Sequence, residues 1–249
     1  MSSEVFVKRD PAAPPGFFEA EARGLRWLAQ AGDGVPVAAV REVAADHLVL
    51  ERLTPTAPTC ADAEDFGRRL ARTHRVAAAV WGRDDGDGFI GPLPLPNGPY
   101  PSWRDLWWQG RVEPYLRRAV DRGDLGAADA AAVERTVAAA VVPAVGRPNR
   151  LHGDLWSGNV VWTAGGAVLV DAGSAHGGHR EADLAMLALF GLPHLARVLA
   201  AYGEEWPLDD GWAERVPLWQ LHPLLVHVVL FGGGYVGALR RAATVRRRE

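Results

Sequence analysis

The first residues alternate. EVFVK, residues 4–8, reads as a half-buried strand that ends on Lys8. The period then lengthens. In GFFEAEARGLRWLAQAG the apolar positions Phe18, Ala22, Leu25 and Leu28 fall on one helical face, and Gly32 supplies a stop. PVAAVREVAADHLVLERL returns to short strands, two of them, joined around Ala45 and Asp46. TPTAPT, with Pro55 and Pro58, is the natural boundary, separating a small strand-rich part (residues 1–53) from a larger helical one (residues 54–249).

Beyond the boundary, Thr59 and Asp62 have capping-box spacing at the head of a helix through ADAEDFGRRLARTHRVAAA. A Gly/Pro-rich loop follows, WGRDDGDGFIGPLPLPNGPYP, then helices near 102–121 and 127–142. NVVW and AVLV form a hairpin turned at TAGG. Helical spacing resumes at about 181–190, 193–202 and 213–230. The pattern predicts an α+β chain with two unequal parts.

Composition narrows the class. Apolar residues make up 48% and charged residues 23% of the 249, an ordinary globular balance. A net charge of −3 gives no reason to expect nucleic acid or an anionic membrane as partner. One cysteine, Cys60, excludes an internal disulfide and a cysteine-rich zinc site, and suits a reducing compartment. MSSEVFVKRD lacks the basic and apolar segments of a signal peptide. LWQLHPLLVHVVLFGGGYVGAL is the most apolar run, but it carries Gln220, His222, Pro223 and His227 and reads as a buried helix ending at Gly232 to Gly234. A cytoplasmic protein is expected, with Arg246 to Glu249 as a solvated tail and the oligomeric state, monomer or dimer, left open. One bias carries information: of 27 basic side chains only Lys8 is a lysine. That position has kept a compact ammonium where the rest of the chain uses the guanidinium fork.

The chemistry concentrates in LHGDLWSGNVVW, residues 151–162. Asp154 and Asn159 have the D-x-x-x-x-N spacing of a kinase catalytic loop, with His152 two residues ahead of the Asp. Such a loop aims a carboxylate at a substrate hydroxyl and an amide oxygen at a magnesium ion. Asp171 follows the hairpin and is placed to be a second metal-binding carboxylate. Lys8 at a strand end and Glu21 on the next helix occur in the order of the pair that holds nucleotide phosphates. On this reading Asp154 is the catalytic base, Asn159 and Asp171 hold Mg²⁺, and Lys8 and Glu21 hold ATP. By analogy with the kinase fold, the strand-to-helix hinge at Glu51 to Leu53 would meet the adenine. Trp156, His179, Glu181 and Trp219 are candidates for the acceptor substrate, with His222 on the far wall. Asp183 reads better as a buried anchor of the catalytic loop, and Trp103, Trp107 and Trp108 better as core.

HGDLWSGN (152–159) followed by GHREADLAM (178–186) closely resembles the fructosamine (ketosamine) kinases, within the protein-kinase-like phosphotransferases that include aminoglycoside and choline kinases. FIGPLPLPN, WRDLWWQGRVEP and GWAERVPLWQLHPLLVHVVLFGGGY resemble the same family, so the likeness runs from about Val5 to Gly237. It implies a bilobal protein-kinase-like fold and ATP- and magnesium-dependent phosphorylation of the O3 hydroxyl of an amine-linked ketose, free or protein-bound. The product then sheds its sugar and the amine is repaired. Two departures stand out: Asp171 precedes Ala172 where the family has proline, and no glycine occurs before Gly16. The family's fold therefore leads one to expect an N-terminally shortened small lobe without its glycine-rich loop. A kinase for another small hydroxylated amine and a non-catalytic remnant remain as alternatives.

Overall fold

The computed structural model describes residues 4–244, so the arginine-rich end at 246–249 lies outside the described residues. The chain opens with β1 (Val5–Arg9), α1 (Phe17–Ala29), β2 (Val40–Ala44) and β3 (His47–Glu51). These strands form an antiparallel sheet in the order β1-β3-β2, with β2 and β3 turning at Ala45 and Asp46 as expected. Central β3 buries Leu48 and Leu50 against Phe18, Ala22, Leu25 and Leu28 of α1.

That small core does not close on itself. Ala172 and Ala175, more than a hundred residues later, complete it, and Val37 bridges to Leu169. At Gly24 the α1 backbone comes so near that a Cβ there would lie 1.8 Å from the Ala172 carbonyl oxygen. The helix that carries Glu21 is thus pressed directly onto the turn that carries Asp171.

Residues 52–59 belong to no regular element, and α2 (Cys60–Arg75) starts behind them with the full capping box. Thr59 accepts from the Asp62 N–H, and Asp62 accepts from the Thr59 N–H at 2.8 Å. The Gly/Pro-rich stretch is less irregular than its composition implies, holding a short hairpin, β4 (Gly88–Ile90) and β5 (Leu93–Leu95). The helix expected near 102–121 is three pieces: α3 (Trp103–Asp105), a π segment (Leu106–Val112) and α4 (Glu113–Asp121). α5 covers Ala127–Ala139.

β7 (Val160–Thr163) and β8 (Gly166–Leu169) form the expected hairpin. Its flanks hold a pair that alternation could not show, three-residue β6 (Asn149–Leu151) against β9 (His176–Gly178). α6 (Glu181–Phe190), α7 (Leu195–Glu205), α8 (Trp212–Phe231) and α9 (Val236–Ala242) complete the chain. α2, α6, α7 and the β7–β8 hairpin share one core around Phe66, Leu70, Leu155, Trp162 and Tyr202. The π segment, α4, α5, α8 and α9 share another, which includes Trp107 at its centre and Trp103 and Trp108 at its margin. The helical stretch Trp212–Ala242 is long and apolar enough to cross a membrane, but here α8 is a core helix with Leu221, Leu225 and Val228 fully buried.

Gly24→Ala separates intrinsic propensity from packing. Alanine is worth about 1 kcal/mol over glycine inside a helix, whereas overpacking costs about 1–3 kcal/mol. The clash is with backbone rather than a movable side chain, so the variant is expected to lose stability, read as a lower urea midpoint than wild type.

Candidate active site

Three separate elements meet at one ammonium. Lys8 on β1 donates to Glu21 Oε2 at 2.7 Å and to the Asp171 carboxylate. Glu21 sits on the buried face of α1, 3% exposed, and burial pushes its carboxyl up to about 7, with the Asp171 charge adding to the rise and Lys8 opposing it. For Lys8, burial alone would favour the neutral amine, but Glu21 and Asp171 hold its pKa above the ordinary value. Asp171 follows β8 with φ 57° and ψ 49°, a left-handed conformation rare outside glycine that turns its carboxylate into the cleft.

The loop expected to be catalytic runs from β6 through His152, Gly153 and Asp154 to the 3₁₀ turn Ser157–Asn159. Its anchor is Asp183 on α6, fully buried. One carboxylate oxygen accepts from the His152 N–H at 2.8 Å, the other from the Gly153 N–H at 2.9 Å, and His74 is 3.1 Å from the first. Burial would raise this carboxyl, yet the His74 hydrogen bond and charge and the Gly153 N–H together hold it below the usual range. Gly153 has φ +83°, and a Cβ there would lie 2.1 Å from the Ser174 carbonyl oxygen, so the loop turns tightly against the Asp171 segment. His152 accepts from the Asp154 N–H on Nδ1 and donates from Nε2 to the Val170 carbonyl at 2.8 Å. Nε2 thus ties the loop to Val170 just after the β7–β8 hairpin, while Nδ1 holds the Asp154 N–H within the loop.

Asn159 donates from Nδ2 to the Asp154 carbonyl at 2.8 Å. That carbonyl can only accept, which fixes the amide orientation and leaves Oδ1 as the free end. Burial raises the Asp154 carboxyl to about 6; Asp171 and Asp183 add to the rise, and His152 and Asn159 offset it.

Two cavities flank the Lys8–Asp171 pair. One, of about 260 Å³, is lined by Asp154, Trp156, Asn159, Phe17 and Phe89. The other, of about 310 Å³, is lined by Phe6, Leu50, Glu51, Arg52, Leu53 and Val170. Lys8, Glu21 and Asp171 border both.

The site residues expected from sequence therefore separate into two groups. Lys8, Glu21, Asp154, Trp156, Asn159 and Asp171 converge on the first cavity, and Glu51 and Leu53 lie on the second. His179, Glu181 and Trp219 do not reach either. Glu181, 1% exposed, takes the Arg215 guanidinium at 2.6 and 2.9 Å and the Trp219 indole N–H at 2.9 Å, while His179 stacks on Trp219 at 5.0 Å. They correct the sugar-binding expectation: a buried carboxylate with an Arg and an indole nearby satisfies its own charge. His222 is likewise buried, donating to the Arg111 carbonyl. Phe17, Phe89 and Val170 line the cleft without having been anticipated; Phe17 lies off the apolar stripe of its helix, Val170 in the AVLV strand, and Phe89 in a loop with no period to place it.

A small sheet and a helical part, a lysine–glutamate pair, and an Asp–Asn loop followed by a metal-type carboxylate define a phosphotransferase of the protein-kinase-like fold. The comparisons agree. The fructosamine kinase family profile matches residues 1–245. A "probable ketoamine kinase" of Thermus thermophilus is 40% identical over 238 residues, covering 95% of this chain and 85% of that protein. One of Escherichia coli K12 is 30% identical, covering 94% and 82%. The crystal structure of a "putative fructosamine-3-kinase" from Thermobifida fusca superposes with a TM-score of 0.90 at 48% identity, covering 96% and 84%. A gentamicin-bound aminoglycoside phosphotransferase shares the fold alone, with a TM-score of 0.61 at 12% identity over 97% and 83%. The chain belongs to the fructosamine kinase family, and that family's chemistry implies ATP as phosphate donor and a small-molecule or glycated acceptor.

The raised carboxyls set a pH dependence of stability. In the unfolded chain Asp154 ionises near 3.8 and Glu21 near 4.5; in the folded protein they ionise near 6 and 7. Ionisation is thus harder in the folded state, and their stabilising contribution, complete below about pH 4, is lost as pH rises through 6 to 7. Asp154→Asn cannot ionise. Its melting temperature is expected to exceed that of wild type at pH 8, with the gap closing towards pH 4; a gap independent of pH would contradict the raised carboxyl.

Proposed function

We propose that this protein phosphorylates the O3 hydroxyl of ketosamines of the fructosamine and ribulosamine type, using ATP and Mg²⁺, and so promotes deglycation of the amine. The observation that carries the reading is the convergence of Asp154, Asn159 and Asp171 with the Lys8–Glu21 pair around one cleft, in a chain of the fructosamine kinase family.

The acceptor sugar enters the cavity at Asp154 and Trp156, the indole offering an apolar face to the ring. Asp154 orients the hydroxyl for in-line attack and accepts its proton. With a carboxyl near 6 it is ionised at neutral pH yet more basic than an ordinary Asp, which suits a general base. Lys8, steered by Glu21, neutralises phosphate oxygens, and the nucleotide base lies in the second cavity along Glu51 to Leu53.

The donor set fits magnesium. The Asp171 carboxylate, 46% exposed, and the free Oδ1 of Asn159 are hard oxygen ligands on the same cavity, and Mg²⁺ commonly takes one or two such groups plus phosphate oxygens and water. When bound there, the ion supplies charge neutralisation and alignment of the phosphates. Phosphorylation at O3 gives the sugar a leaving group: the C1–C2 enaminol form can expel phosphate from C3, and hydrolysis then frees the amine.

The test is ATP-dependent phosphorylation of fructosyl-lysine and ribulosyl-lysine with magnesium, beside Asp154→Ala. A general base is worth about 10²–10⁴ in rate, so turnover should fall by at least that factor while ATP binding persists. Turnover equal to wild type would overturn the role of Asp154. Phosphorylation of aminoglycosides or choline in preference to both adducts would overturn the substrate class.

A further inference from the structure

At about 260 Å³ the catalytic cavity lies below the ~300–1,000 Å³ of pockets that enclose a whole drug-sized ligand. A sugar and a transferring phosphoryl group fill it, and whatever the amine is attached to must lie outside. The second cavity lies across the Lys8–Asp171 pair and is taken by the nucleotide in this reading.

A row of rings leads out of the catalytic cavity. Trp156, on its lining and 39% exposed, meets Phe190 edge-on with centroids 6.2 Å apart. Phe190 continues to His227 at 4.8 Å, and His227 touches Phe231 at 5.3 Å and Tyr235 at 4.8 Å. A second path reaches the same place: Gly91, also on the cavity lining, faces Leu230, whose Cδ1 would lie 3.6 Å from a Cβ at that position. The last turn of α8 therefore borders the cavity mouth by two routes.

Exposure distinguishes this row from core. Phe231 is 64% and Phe190 37% exposed, at the point where α8 stops at Gly232 with φ 75°. Single exposed apolar residues are ordinary, but a contiguous aromatic strip continuous with a catalytic cavity marks a binding surface. The His227 Nδ1–H is spent on the Pro223 carbonyl at 2.7 Å, and burial lowers the ring's pKa, so it is neutral at pH 7 and the strip offers ring faces rather than charge.

We propose that the strip from Trp156 through Phe190 and His227 to Phe231 is the carrier subsite, taking an apolar or aromatic body attached to the ketosamine nitrogen. The proposal rests on the ketosamine reading and names the part of that substrate which lies outside the cavity. Aromatic contacts of this kind change affinity by roughly 2- to 12-fold each.

The probes are two synthetic fructosamines, one on methylamine and one on 2-phenylethylamine, assayed with wild type, Phe231→Ala and Phe231→Trp. The ratio of kcat/KM for the phenylethyl to the methyl substrate is expected to fall about 3- to 10-fold in Phe231→Ala and to recover in Phe231→Trp. A ratio unchanged in Phe231→Ala overturns the subsite, as does an unchanged ratio accompanied by a shift in sedimentation, which would make the strip an interface between copies. If wild type phosphorylates neither compound, the ketosamine reading falls, and tryptophan fluorescence still decides the subsite. Tighter binding of the phenylethyl compound that weakens in Phe231→Ala supports it, and binding indifferent to the variant overturns it.

Discussion

One ammonium shared by two carboxylates is the contact on which the rest of the site depends. Lys8, Glu21 and Asp171 come from a strand, a helix and a turn separated by up to 163 residues. None of the three is in an easy state alone. Glu21 is buried, Asp171 is in a left-handed backbone conformation, and Lys8 would favour neutrality without its partners. Together they are stable, but two negative charges face one positive charge, with Asp154 adding a third carboxyl nearby. The surplus is negative, and a divalent cation with an anionic nucleotide changes that balance more gently than a bare polyphosphate could. Burial holds the Asp154 and Glu21 carboxyls near 6 and 7, and the neighbouring carboxylates add to that rise.

Rigidity behind the site comes from a different charge. Asp183 is buried more deeply than any catalytic group, and it remains ionised because backbone N–H groups and His74 converge on it. A buried carboxylate without such partners would cost several kcal/mol. Both carboxylate oxygens hold the loop, so Asp154 is presented by hydrogen bonds made one and two residues earlier in the chain. His74 in turn is held 3.0 Å from the Tyr202 hydroxyl, which sits in the core where α2 crosses α7. Packing of two helices remote from the cleft thus reaches the loop through two polar side chains.

Much of this was legible in the sequence, for reasons that differ by element. α1, α2, the β2–β3 hairpin and the β7–β8 hairpin have local causes, namely periodicity, a capping box and turn residues, and those causes act wherever the chain goes. Asp154, Asn159 and Asp171 could be expected together from their spacing, and the structure brings them onto one cavity. The β6–β9 pair was not legible, since three residues make no period and the partners of Asn149, Arg150 and Leu151 are Gly178, Gly177 and His176, far along the chain. His179, Glu181 and Trp219 misled for a related reason. Polar residues close in sequence to a metal-type carboxylate suggest a ligand, but α6 turns Glu181 away from the cleft, and Arg215 on α8 neutralises it at a distance no local pattern reveals. Residue type can be read from sequence, whereas direction belongs to packing.

The lone lysine shows how the two levels join. Twenty-six other basic positions are arginine, so pressure on this chain favours the guanidinium wherever either cation serves. At residue 8 it does not serve equally. A guanidinium presents a rigid planar fork, suited to one carboxylate gripped at two points. The two carboxylates here arrive from different elements and different directions, and a compact ammonium with three N–H groups on a flexible stem can meet both. Two of those donors are given to Glu21 and Asp171. In the proposed reading, the third meets a phosphate oxygen between the two cavities that Lys8 borders.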